Sequence, residues 1–144
     1  MLKFPIKFEV EAEAKPGIST NWKGQAPNLS PITCAIPPEF MGPGGGYSPE
    51  DLFILSILSC LLALFKAYCE KNKITFHEVK SRAILTVDRN HTASVLVFTH
   101  IDIFIDVTGA SDTEKARHQL DKALKDCPVS NAIKTGKTFH ITVK

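Results

Sequence analysis

Two cysteines carry the chemistry that this sequence makes available. Cys60 lies inside an apolar stretch, Ile57-Leu58-Ser59-Cys60-Leu61-Leu62, and Cys127 stands immediately before Pro128. A thiol in dry surroundings, with a second thiol elsewhere in the chain, is the minimum equipment for two-electron thiol chemistry. A peroxide converts the first thiolate to a sulfenic acid, and the second condenses with it to a disulfide. Each cysteine also has an inert reading. A cysteine in an apolar helix is ordinarily a small buried hydrophobe, and apolar surroundings raise a thiol's pKa. A reactive Cys60 therefore requires a cation or hydrogen-bond donors beside its sulfur. Cys127 falls at the N-cap of a new helix, where free backbone N–H groups and the helix dipole favour a thiolate. It equally suits the last position of a preceding helix. Cys34, on a strand, and Cys69, near the polar end of a long helix, read as incidental thiols.

Glu50 is the third candidate. In Ser48-Pro49-Glu50-Asp51 the serine can cap, the proline fits the first helical position and both acids suit the positive end of the dipole. Glu50 is explained by that role alone. Functionally it could orient a cation beside Cys60, but ten residues of straight helix span roughly 15 Å. A helix break, a bridging cation or a second subunit would be needed to join them.

The helix that starts at Ser48 is expected to run to about Lys73. It is apolar nearly all round between Leu52 and Leu64, which predicts burial on every side. A chain of 144 residues has little material to surround it, so a subunit interface is expected. Before it, Phe4, Ile6, Phe8 and Val10 alternate with charged residues as in a half-buried strand. Lys15 to Pro31 is turn-rich around Trp22, and Leu29 to Ile36 reads as another strand. The loop Gly42-Pro43-Gly44-Gly45-Gly46 lacks the residues of a nucleotide-binding loop.

After the helix, Val79, Ser81, Ala83, Leu85 and Val87 share one strand face. Val95, Val97, Thr99, Ile101, Ile103, Ile105 and Val107 share another, with Arg89-Asn90-His91-Thr92 as the turn. Ser111-Asp112-Thr113-Glu114 is a capping box opening an amphipathic helix, with Ala116, Leu120, Ala123 and Leu124 inward. That helix stops near Cys127, because proline disfavours helix in the residue before it. A short helix from Pro128 to about Lys134 and a strand from Thr138 to Val143 complete the chain. The fold class is α+β: antiparallel β-sheets packed on a long buried central helix, one domain over residues 1–144.

The 44% hydrophobic and 22% charged composition is that of a globular protein. A formal charge of +2 without basic clusters gives no nucleic-acid footprint. The N-terminus lacks a signal-peptide pattern. The apolar run Leu52 to Phe65, 14 residues, falls short of the about 20 that a membrane span needs. The cytoplasm, reduced thiols and no membrane partner are expected. The cysteines contain no CxxC and the histidines lie singly, so a zinc site has no support.

Three segments together carry a resemblance. Pro38-Glu39-Phe40-Met41-Gly42-Pro43-Gly44-Gly45-Gly46-Tyr47-Ser48-Pro49-Glu50-Asp51-Leu52, then Ser59-Cys60, then Cys127-Pro128-Val129-Ser130-Asn131-Ala132 resemble the OsmC/Ohr family of osmotically inducible and organic hydroperoxide resistance proteins. The resemblance implies an intertwined homodimer with two sites at the subunit boundary, each reducing hydroperoxides, organic ones especially. Cys60 matches the peroxidatic cysteine, Cys127 the resolving cysteine and Glu50 the acid of the activating network. A dithiol, often a lipoylated protein, would reopen the disulfide, and no metal, flavin or haem cofactor is implied. The chain departs from the family in one respect. Family members carry an arginine in the N-terminal third, whereas here none precedes Arg82. Lys15 and Lys23 offer point charges in its place.

Overall fold

The computed structural model describes residues 2–92 and 94–144. The chain forms two compact units, Met1–Leu52 and Phe53–Lys144.

The first unit is built on a three-stranded antiparallel sheet of β1 (Glu11–Glu13), β2 (Trp22–Gln25) and β3 (Ile32–Cys34), in that order. The alternating segment before Glu11 is not a strand. Phe4, Phe8 and Val10 are 77%, 95% and 75% exposed, since only β1 of this stretch finds an edge to pair with. An apolar groove of about 480 Å³ opens on this unit, lined among others by Val10, Trp22, Leu29, Ile32, Cys34 and Leu52. The glycine loop has a packing purpose. A Cβ on Gly42 would lie 2.1 Å from the Ile36 carbonyl oxygen, and one on Gly46 2.8 Å from that of Thr33. Gly44 and Gly45 have φ of +65° and +79°, open at no steric cost only to glycine. The loop thereby folds back beside β3, with Tyr47 bridging to Cys34, and delivers Ser48 to the helix start.

Helix α1 (Pro49–Lys71) begins in this unit and continues unbroken into the second. Its start is a reciprocal cap: the Asp51 N–H donates to the Ser48 hydroxyl (3.0 Å) and the Ser48 N–H to the Asp51 carboxylate (2.9 Å). Such a cap satisfies two of the free donors at a helix start. By length and apolar composition α1 would also suffice to cross a membrane, a longer apolar window than the 14-residue run suggested. Here Ile57, Leu61, Phe65 and Cys69, spaced by four, are fully buried. They form the spine of the second unit's core. Burial on every side is not achieved in one chain: Leu55 stays 43% exposed and Ser56 and Ser59 are exposed.

The second unit packs α1 with α2 (Thr113–Asp126), α3 (Pro128–Asn131) and a sheet of β4 (Glu78–Arg89), β5 (Leu96–Thr108) and β6 (Gly136–Val143), β5 central. The inward faces of the strands, Ile101, Ile103, Ile105 and Val107 with Val79, Ala83, Leu85, Phe139 and Ile141, close on the helix side chains. Four features differ from the sequence reading. β6 runs parallel to β5, because the α2–α3 connection is a crossover long enough to return the chain to the same end of the sheet. A bulge between Thr86 and Val87 shifts the register, so that Phe98 pairs with Val87 and Val97 with Asp88; Thr99 is exposed, and Val97 and Thr99 leave the face of Ile101. The cap of α2 is Asp112, whose carboxylate accepts from the Lys115 N–H at 3.0 Å. The Ser111 hydroxyl instead accepts from the Thr75 N–H. The short helix α3 ends at Asn131 rather than near Lys134.

Candidate active site

Cys127 is the best-defined point of the site. As the residue before Pro128 it is extended (φ −63°, ψ 108°), which ends α2 and serves as the N-cap of α3. Its side chain is wholly buried. The sulfur accepts from the Ser130 N–H at 3.4 Å, as the side chain of an N-cap residue does.

Cys60 packs against the core cluster that contains Cys127, and its thiol lies near enough to act on the protonation of Cys127. The structure thus brings together the two cysteines singled out by sequence. Cys60 sits on α1 beside the buried spine and is itself half-buried, less dry than its apolar neighbours suggested. All four cysteines are free thiols. The two neighbouring sulfurs need to close to about 2.05 Å to form a disulfide.

The electrostatics of Cys127 reverse one expectation. An N-cap position favours a thiolate, yet burial pushes the Cys127 pKa up, and the neighbouring Cys60 thiol adds to it. The N–H groups of Ser130 and Val129 only partly offset this. Desolvation outweighs a single short helix end. The raised pKa favours the protonated form of Cys127. Cys69 is likewise pushed up by burial. It belongs to the core rather than to the wet end of α1.

Glu50 lies in the first turn of α1, ten residues before Cys60 in the sequence. Its Oε2 is buried and has no hydrogen-bond partner among the described residues. Lys23 is used within the first unit, its ammonium donating to the Thr33 hydroxyl across the strand pair. Of the apolar residues near Cys60, Ile57 and Leu61 turn fully into the core, while Phe53 and Leu64 are half-buried beside it. Among the described residues no cluster of three or more His, Cys, Asp or Glu side chains is arranged to hold a metal ion.

Several residues that hold the cysteine pair in place gave no sequence signal. The Tyr68 hydroxyl on α1 donates to the Asp126 carboxylate (2.8 Å), which also accepts from Lys122 (2.7 Å). The Lys122 ammonium lies 4.0 Å from the centre of the Tyr68 ring, a cation–π contact. The Asn131 amide donates to the Lys125 carbonyl (3.0 Å), closing α3 onto the end of α2. Asp126 immediately precedes Cys127. The brace therefore runs from the helix bearing one thiol to the residue beside the other.

Comparison with known proteins agrees with this architecture. The sequence signature of the OsmC-like protein family matches residues 42–142, and the chain belongs to that family. An uncharacterised protein of Acinetobacter baylyi is 26% identical over 109 residues, 73% of this chain and 71% of that protein. An OsmC-like protein of unknown function from Vibrio cholerae superposes with a TM-score of 0.83 at 15% identity, covering 96% of this chain and all of the other. An organic hydroperoxide resistance protein OsmC from Legionella pneumophila superposes with a TM-score of 0.74 at 22% identity, covering 96% of this chain and 100% of that one. The solved structures share the α+β fold with a central helix.

Proposed function

We propose that this protein is a cysteine-based peroxidase that reduces hydroperoxides, organic ones in preference. The observation that carries the reading is that the thiols of Cys60 and Cys127 are neighbours in one core cluster, close enough for one to act on the other. In the reaction the Cys60 thiolate attacks one oxygen of ROOH. The O–O bond breaks, Cys60 becomes a sulfenic acid, and the alkoxide leaves and takes a proton as ROH. Cys127 then attacks the Cys60 sulfur. The S–O bond breaks as the S–S bond forms, and the hydroxyl leaves with the Cys127 proton as water. A cellular dithiol, free or as a lipoylated protein, reduces the disulfide by exchange and is itself oxidised. Family membership supports this, as does the fold shared with a hydroperoxide resistance protein. A reducing compartment such as the cytoplasm suits a cycle that ends in dithiol reduction.

The same reading includes a homodimer. Exposed apolar side chains along Leu2–Val10, the outward Leu55 on α1 and the apolar groove of the first unit are surface that a second copy would cover. A second copy would also supply surroundings for the Glu50 oxygen, which has no partner among the described residues.

A second reading, a redox sensor that oxidises without turnover, is favoured by one observation. No arginine precedes Arg82, and Glu50 has no cation beside it among the described residues. One experiment separates the two. The protein is treated with one equivalent of cumene hydroperoxide and its peptides are analysed by non-reducing mass spectrometry, then consumption is followed with excess dihydrolipoamide. A Cys60–Cys127 linkage with sustained consumption is expected. One slow oxidation without consumption favours the sensor, and Cys60 remaining reduced removes both readings.

A further inference from the structure

Lys137 breaks the pattern of its strand. On β6 the inward positions are Lys137, Phe139, Ile141 and Val143, all half-buried, while Gly136, Thr138, His140 and Thr142 face out. Lys137 is paired with Ile101, a fully buried core residue. An aliphatic side chain would satisfy this register, and a cation turned toward apolar surroundings costs free energy unless its hydrogen bonds are made. Here they are made. The ammonium donates to the carbonyls of Ile133 (2.8 Å), Ser130 (3.0 Å) and Thr135 (3.3 Å). That uses the three donors a lysine has.

Those carbonyls belong to the turn that starts at Cys127. The last carbonyls of a helix have no internal partner, and a lysine that binds them locks the turn. The central residue is Ser130, which is buried. Its N–H donates to the Cys127 sulfur and its carbonyl accepts from Lys137. The ammonium therefore grips the peptide chain one residue from the group that aims the sulfur.

We propose that Lys137 is a positioning residue for disulfide closure: by clamping the Ser130–Thr135 turn it holds the Cys127 sulfur on line with Cys60. It acts through Ser130 and touches neither sulfur. Closure requires the Cys127 sulfur to reach bonding distance of the Cys60 sulfur along one direction. A turn free to rock would spend much of its time misaligned, and small misplacements of reacting groups slow such steps by large factors. The inference deepens the peroxidase reading and names a part of its second step.

The test uses a probe that does not depend on peroxide chemistry. The full-length protein is mixed with Ellman's reagent, an aromatic disulfide. The Cys60 thiolate displaces one thionitrobenzoate and forms a mixed disulfide. Cys127 then attacks the Cys60 sulfur, its proton goes to solvent, and the second thionitrobenzoate leaves as the Cys60–Cys127 bond forms. Quenched samples are read by peptide mass spectrometry, which separates the adduct step from the closure step. In Lys137→Met the Cys60 adduct is expected at the wild-type rate, with closure slower by roughly tenfold to a hundredfold. Lys137→Arg, which keeps the charge and the donors, is expected to restore most of the closure rate. A merely structural role would leave the ratio of the two rates unchanged, so equal closure in all variants, or both steps shifting together, overturns the proposal. If Lys137→Met fails to fold, Lys137→Gln takes its place and is read in the same way. A parallel run with cumene hydroperoxide keeps the two readings apart. Wild-type protein that closes with Ellman's reagent but not with hydroperoxide refutes the peroxidase reading, while the effect of Lys137 on closure is still measured.

Discussion

The Tyr68 hydroxyl donates to the Asp126 carboxylate at 2.8 Å and thereby ties α1, which carries Cys60, to the residue just before Cys127. The two partners are distant in sequence, and each is held by a second contact with Lys122. The distance between the two thiols is thus governed by a polar brace on the surface as well as by the core beneath it.

Removing the brace is expected to show in acid. The Lys122 ammonium first, then the Tyr68 hydroxyl, hold the Asp126 carboxyl below the usual carboxylate range. A lowered folded pKa contributes stability that is complete above the unfolded value of about 4 and is lost as pH falls through the folded value. In Tyr68→Phe the folded value moves back toward the ordinary one. The acid-unfolding midpoint, followed by circular dichroism, should move to higher pH, and closure of the Cys60–Cys127 disulfide should slow. An unchanged midpoint and an unchanged closure rate would show that Tyr68 braces nothing.

Cys127 gives the opposite sign at alkaline pH. Burial raises its pKa above the ordinary thiol value, so the folded state keeps the thiol proton that the unfolded state gives up. The associated stability is complete below the unfolded value of about 8.5 and disappears as pH rises through the raised folded value. In Cys60→Ser, alkylation of Cys127 by iodoacetamide should still be climbing at a pH where free cysteine has reached its plateau. A plateau coinciding with that of free cysteine would refute the shift.

The core beneath the site makes a third prediction. Phe65 is fully buried on α1, with its ring 5.1 Å from that of Phe76. Phe65→Ala should cost about 3–5 kcal/mol in urea unfolding, the transfer free energy plus the cavity left behind. Lys66→Ala, on the exposed side one residue on, should stay within about 0.5 kcal/mol. Similar losses at both positions would contradict the assignment of the buried spine.

The sequence by itself determined the elements whose causes lie within a few residues. The Ser48-Pro49-Glu50-Asp51 helix start, the period-two faces of β4 and of β5 from Ile101 onward and the break at Cys127-Pro128 are of this kind. They depend on capping, pleat and the geometry of the residue before proline, which neighbouring residues settle among themselves. The candidate cysteines were legible too, from their contexts and from the family they resemble.

Only the tertiary structure decided what those thiols experience. Contact between Cys60 and Cys127, the parallel placement of β6, the bulge that expels Thr99 and the inward head of Lys137 each depend on groups distant in sequence. So does the pKa of Cys127: a local N-cap argues for a thiolate, but the desolvation that overrules it comes from surrounding elements. Glu50 marks the same boundary, since its place at the helix start was legible but the lack of a partner for its buried oxygen among the described residues was not. Burial and partnership are properties of packed surfaces, and no window of sequence contains both sides of such a surface.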